Sequence, residues 1–154
     1  MAIIRSIDAL DPAFRPQAVE FLRRLADADI QYRIDETLRT RDVQEAYWLQ
    51  SRAPLEEVNA AREKAGLYLL TEAENRVTVT WTRDSAHFTG RAIDVVPLLG
   101  RGDGRFFVPW DYAAYAGIWQ RMGEIGLSLG LDWGGSWPPL IGGVIGKDPP
   151  HYQK

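Results

Sequence analysis

Residues 85–98 read Ser85-Ala86-His87-Phe88-Thr89-Gly90-Arg91-Ala92-Ile93-Asp94-Val95-Val96-Pro97-Leu98, and the fold turns on this stretch. Ala92 to Leu98 is an apolar, β-branched run that closes near Pro97, the pattern of a strand. Asp94 interrupts it. A lone carboxylate among Ala92, Ile93, Val95 and Val96 has to be exposed, paired or bound to a metal if that strand is internal. His87 stands upstream of the Gly90 turn, giving His87-x6-Asp94. The chain has 2 histidines, and the second also stands near an aspartate, here one that precedes it, as Asp148-x-x-His151 in Lys147-Asp148-Pro149-Pro150-His151-Tyr152. Neither arrangement is His-Glu-x-x-His, and there is no cysteine pair. Spacing alone leaves two readings open: a metal site, or a surface aspartate beside satisfied or exposed histidines.

Upstream of this stretch, Asp11-Pro12 followed by Phe14, Ala18, Phe21, Leu22 and Leu25 predicts an amphipathic helix over about 11–28. Gln31 to Leu38 predicts a half-buried strand, and 42–51 a helix with Asp42 as N-cap. Pro54 opens a further helix that Gly66 stops, so that 53–75 forms a local helical insertion. Arg76 to Trp81 (RVTVTW) alternates and is β-branched, the strongest local strand signal in the chain. Downstream, Gly100 to Arg105 is a turn leading as a hairpin toward Phe106 and Phe107; Asp103 between glycines leaves a calcium site open but lacks the repeated oxygen ligands of a calcium loop. Asp111 caps a helix to about 129, and short strands follow from Leu131. Helices first and short strands in the middle and end predict an α+β fold, a small antiparallel sheet with packed helices.

The 154 residues suit one domain over 1–154, with a core that needs no disulfide; Cys is 0. Lys plus Arg number 18 against 21 Asp plus Glu, a net charge of -3, which argues against a nucleic-acid surface. No stretch has the roughly 20 apolar residues of a membrane span. The opening segment lacks the apolar core of a signal peptide, so synthesis in the cytoplasm without a cleavable signal is expected.

Taken together, the Ser85-x-His87-x-x-Gly90-x-Ala92-x-Asp94 block and the Asp148-x-Pro150-His151-aromatic block resemble the zinc D-Ala-D-Ala and L-alanyl-D-glutamate peptidases, the LAS or M15 family, especially its short bacteriophage endolysin branch. The resemblance extends to Leu10–Arg15, to Leu38-Arg39-Thr40 with Gln44, and to Trp133-Gly134-Gly135 with Trp137. It implies a hedgehog/DD-peptidase-like fold and Zn²⁺ held by His87, Asp94 and His151, with Asp148 as acid and base. Two imidazoles and one carboxylate leave a fourth position for water, as a catalytic zinc site requires.

The resemblance also brings Arg39 to the catalytic centre, to bind substrate or stabilise negative charge; the competing reading pairs Arg39 with Glu36 or Asp42. Ser85 is expected to hydrogen-bond substrate or fix the His87 loop. Trp133 and Trp137 either line the cleft or plug the core. Two departures from the family pattern, a longer and more helical tract between Arg52 and Arg76 and the lengthened approach from Ile141 to Lys147, are expected to reshape the cleft.

The implied function is hydrolysis of the L-alanyl-D-glutamate bond of peptidoglycan stem peptides by a monomeric phage lysis protein. It would act on the wall in the periplasm after release through a holin or another membrane-permeabilising partner. The alternatives are a D-alanyl-D-alanine carboxypeptidase or dipeptidase, and a non-catalytic wall-binding or phage-tail module.

Overall fold

A computed structural model describes Ile3–Lys154. Helix α1 spans Arg15–Asp27 and buries Ala18, Phe21, Leu22 and Leu25, the stripe expected from their spacing. It begins later than Asp11, because Asp11 caps a separate turn: its Oδ1 accepts from Ala13 N at 2.8 Å and its carbonyl from Phe14 N and Arg15 N. Strand β1 is Tyr32–Glu36. Helix α2, Arg41–Leu49, is capped by Thr40, whose hydroxyl accepts from Val43 N; Asp42 lies inside its first turn instead of capping it. Helices α3, Leu55–Lys64, and α4, Glu72–Asn75, occupy the tract after Pro54, and Gly66 takes the left-handed φ of 72° that stops α3.

Strand β2, Ala92–Pro97, is followed by the hairpin of β3, Leu99–Gly100, and β4, Phe106–Phe107. Helix α5 runs from Ala116 to Ser128, Asp111 capping only the turn before it through Ala114 N. Strand β5 is Asp132–Trp133 and β6 is His151–Gln153. The main sheet is antiparallel with order β1-β2-β6-β5, so the C-terminal strand lies between β2 and β5. The α+β expectation holds. Helices α1 and α5 cover one face, where Phe21, Leu25, Trp119, Met122, Ile93, Val95 and Tyr152 form the core. Gly123 and Gly126 let α5 approach closely: a Cβ on either would collide with the Trp133 or Tyr152 ring.

The strand expected at Arg76–Trp81 is absent among the described residues. The segment keeps the alternation: Val77, Val79 and Trp81 are exposed, while Thr80 is buried. What it lacks is a neighbouring strand. Side chains of α2 and the residues after it bind its polar groups instead: Gln50 Nε2 donates to Val77 O at 3.0 Å, Arg52 Nη2 to Thr80 O at 2.9 Å and Gln44 Nε2 to Thr82 O at 2.5 Å. Alternation reports which side of an extended chain is buried, not whether a ladder partner exists.

Candidate active site

The sheet register sets three functional candidates in one row. Glu36 of β1 pairs with Asp94 of β2, and Asp94 pairs with His151 of β6. Ile34 opposes Val95, so a regular ladder would place Asp35 against Asp94; a bulge between Ile34 and Glu36 brings Glu36 there instead. His87 enters from outside the sheet, on the 3-10 turn Ala86–Thr89. Ser85 caps that turn by accepting from His87 N at 3.2 Å. Gly90 ends it at φ 70°, and a Cβ there would lie 2.6 Å from Asp11 N, so the Leu10–Arg15 segment packs directly against the His87 turn.

His87, Asp94 and His151 each offer one ligand atom, all within 4.8 Å of one another. Asp94 Oδ1 is 3.2 Å from His87 Nε2 and 3.2 Å from His151 Nδ1. The outer ring nitrogens are occupied elsewhere: His87 Nδ1 lies 2.7 Å from Thr37 O, and His151 Nε2 lies 2.7 Å from Gln153 Oε1. Since the Thr37 carbonyl only accepts, it fixes the proton on His87 Nδ1 and leaves Nε2 as a lone pair; Gln153 Oε1 does the same for His151, freeing Nδ1. With both rings neutral, two lone pairs and a carboxylate oxygen converge on one point; with no cation there, a further ring proton bridges to Asp94 in its place. Such a donor set suits a cation, and its nitrogen and oxygen composition with two histidines suits zinc.

The electrostatics agree. Burial opposes the Asp94 charge, but the charges and hydrogen bonds of His87 and His151 hold its pKa well below the usual carboxylate range. Burial works against protonation of His151 too, yet its hydrogen bond to Asp94 and the Asp94 charge prevail and raise its pKa to about 9. The centre therefore draws positive charge, either a proton or a metal ion. Desolvation in the cleft wall, followed by the Asp94 charge, pushes Asp148 up to about 6. A divalent cation among these groups would pull all three values down.

Asp148 stands at the rim with its side chain 42% exposed and Oδ2 4.0 Å from His151 Nδ1. The loop that carries it is pinned on both sides. Trp133 Nε1 donates to Pro149 O at 2.8 Å, and Val95 N donates to Pro150 O at 2.9 Å. Gly134 lies so near that any Cβ would strike the Asp148 carbonyl. Trp133 itself is buried in the core, stacked with Tyr152 at a centroid distance of 6.5 Å. Trp137 is placed differently: it lines the cleft, its ring centroid 5.2 Å from that of His151 and its Nε1 donating to Asp132 Oδ1.

Arg39 also lines the cleft, but its guanidinium is committed. Nε and Nη2 donate to the two Glu36 oxygens, Nη1 donates to Gln44 Oε1 at 2.7 Å, and Tyr47 lies beneath it at 5.1 Å. Nη2 is also 3.9 Å from Asp94 Oδ2. Of the two pairings open in the sequence, Glu36 is the partner; Asp42 pairs with Lys64. The cleft, of about 330 Å³, has a wall with no signal in the short motifs: Val79, Trp81 and Asp84 from the extended segment, and Lys147 from the approach to Asp148.

With this geometry, the residues define a peptidase-type centre: a metal-capable triad, a carboxylate beside it and a cleft. A family model for D-alanyl-D-alanine carboxypeptidase, within the M15 peptidases, matches residues 78–154, and the chain belongs to that family. His87, Asp94, Asp148 and His151 all fall in the matched part. The fold is similar to the crystal structure of the Serratia marcescens L-Ala D-Glu endopeptidase ChiX, with a TM-score of 0.50 and 24% sequence identity over 96% of this chain and 81% of that chain. No curated protein matches the chain. At the level of the family, the activity is peptide-bond hydrolysis. No helix among the described residues is long and apolar enough to cross a membrane.

Proposed function

We propose that the chain is a zinc-dependent peptidoglycan endopeptidase, a single catalytic domain that hydrolyses the L-alanyl-D-glutamate bond of stem peptides in phage lysis. The observation that carries the metal reading is the outward anchoring of both histidines, on Thr37 O and Gln153 Oε1, which turns His87 Nε2 and His151 Nδ1 toward Asp94, where they become metal-binding lone pairs once the rings are neutral. His87, Asp94 and His151 would hold the ion. Zinc bound there would supply Lewis acidity toward the scissile carbonyl and make a water nucleophilic near neutral pH.

This chain's residues do the rest. Asp148, at the rim beside the triad, takes the proton of the attacking water and returns it to the departing amine. Arg39, held by Glu36 and Gln44, keeps a positive charge near Asp94 and offsets the negative charge that develops at the centre. Ser85 fixes the His87 turn through its hydroxyl, and Trp137 supplies an aromatic wall for the peptide. The choice of the L-alanyl-D-glutamate bond is supported by the fold shared with ChiX and by the resemblance to the endolysin branch.

The description of the matching family favours a second reading, release of a terminal D-alanine from the same centre. Digestion of purified peptidoglycan, with new termini identified by mass spectrometry, separates the two. New amino-terminal glutamate is the expected product; free D-alanine would transfer the assignment to a carboxypeptidase. Absence of both, from folded zinc-loaded protein, would point to a binding module.

A further inference from the structure

The geometry points to Lys147, seated against Trp81, as the residue that recognises a substrate carboxylate next to the scissile bond. This deepens the stem-peptide reading and rests on it. The cleft is lined by two cationic side chains, Arg39 and Lys147, and by the carboxylates of Asp84, Asp94 and Asp148. Every guanidinium nitrogen of Arg39 already donates to Glu36 or Gln44. Lys147 has no carboxylate within ion-pair distance among the described residues; its ammonium lies 5.2 Å from the centroid of the Trp81 ring. An anionic peptide entering beside three carboxylates needs a compensating charge, and of the two cations Arg39 is already ion-paired with Glu36 while Lys147 is not paired with a carboxylate.

The placement is built into the chain on both sides. Lys147 N donates to Trp137 O at 2.9 Å, and Lys147 and its neighbour Asp148 line the same cleft, so a substrate residue beside the reacting carbonyl is the one the ammonium would meet. Trp81 is 53% exposed, but the backbone on either side of it is fixed by Arg52 on Thr80 O and Gln44 on Thr82 O. The ring thus holds the lysine without neutralising it, which lowers the entropy cost of engaging an anion. A D-glutamyl residue joined through its side-chain carboxyl keeps its α-carboxylate free in this position, whereas an α-amidated one offers no charge. Lys147 therefore sets a preference for the free acid.

The test compares L-Ala-γ-D-Glu-containing peptides bearing either a free or an amidated α-carboxyl, with zinc-loaded wild type, Lys147→Met and Lys147→Arg. Cleavage kinetics and calorimetric binding are both measured. Wild type should favour the acid, and Lys147→Met should raise its KM about tenfold or more, as expected for a charge-assisted hydrogen bond. The same change should leave kcat and the amidated peptide nearly unaffected, and Lys147→Arg should keep the preference. Equal losses on both peptides would assign Lys147 to loop structure and overturn the inference. Cleavage with no acid preference in wild type would overturn it while leaving the bond assignment standing. Acid-selective, Lys147-dependent binding without cleavage would uphold the anchor and remove the bond assignment; neither binding nor cleavage would remove both.

Discussion

Arg39 and Glu36 meet fork to fork, with Nε 3.0 Å from Oε1 and Nη2 2.5 Å from Oε2, and the pair lies beside Asp94 with both side chains about nine-tenths buried. The β1 bulge has placed one carboxylate opposite another, and the guanidinium between them makes that tolerable. Removing Arg39 alone leaves Glu36 buried and unpaired next to Asp94. Arg39→Ala should therefore cost about 3–5 kcal/mol in urea unfolding. The double variant Glu36→Gln with Arg39→Ala should recover much of that loss without recovering kcat. Arg39→Lys should rescue neither fully, since an ammonium cannot span both Glu36 oxygens and Gln44. Equal stability of the single and double variants would show that the pair is not coupled.

The outer anchors of the histidines should tune metal affinity. Gln153→Ala removes the acceptor that fixes His151, and zinc affinity should fall about 10- to 100-fold with the fold retained. His87→Ala should abolish tight binding. Competition against a chromophoric chelator, with circular dichroism on the same samples, checks both; unchanged affinity in His87→Ala would remove the triad as the metal site.

Asp148 should separate proton transfer from metal binding. Asp148→Asn is expected to keep zinc and lose about 100-fold or more in kcat, the usual scale for a carboxylate base. Zinc content and turnover measured together decide it. Loss of zinc would make Asp148 a ligand, and full turnover would remove it from the chemistry.

The two tryptophans of the Trp133-Gly-Gly-Ser-Trp137 loop should behave oppositely. Trp133→Ala empties a buried ring site and breaks the tie to Pro149 O, so it should destabilise by about 3–5 kcal/mol. Trp137→Ala should cost much less stability and raise KM, because that ring faces the cleft beside His151. Thermal denaturation and steady-state kinetics on both variants distinguish the cases; a reversed order would exchange their roles.

What the sequence determined by itself was local or periodic. The helical stripe of α1, the apolar run of β2 with Asp94 inside it, and the short spacings around His87 and His151 depend on neighbours a few residues away, and such signals survive in a linear reading. His87, Asp94 and His151 were visible one by one for that reason, but their grouping as a single metal set came from the resemblance to the M15 peptidases, and the fold brings them within 4.8 Å of one another. Tertiary structure decided everything that depends on partners distant in the chain. RVTVTW has the alternation of a strand, but Gln44, Gln50 and Arg52 take the bonds a neighbouring strand would have taken, and the exposed side became a cleft wall. Trp133 and Trp137 are alike in sequence; the bare surface of Gly123 on α5 admits one to the core and leaves the other at the site. Glu36 reached Asp94 only through a bulge, and Lys147 became the cleft's free cation only because Arg39 was bound elsewhere. Periodicity encodes which side of an element is buried, whereas the charge left available at a site is a balance among groups that only folding brings together.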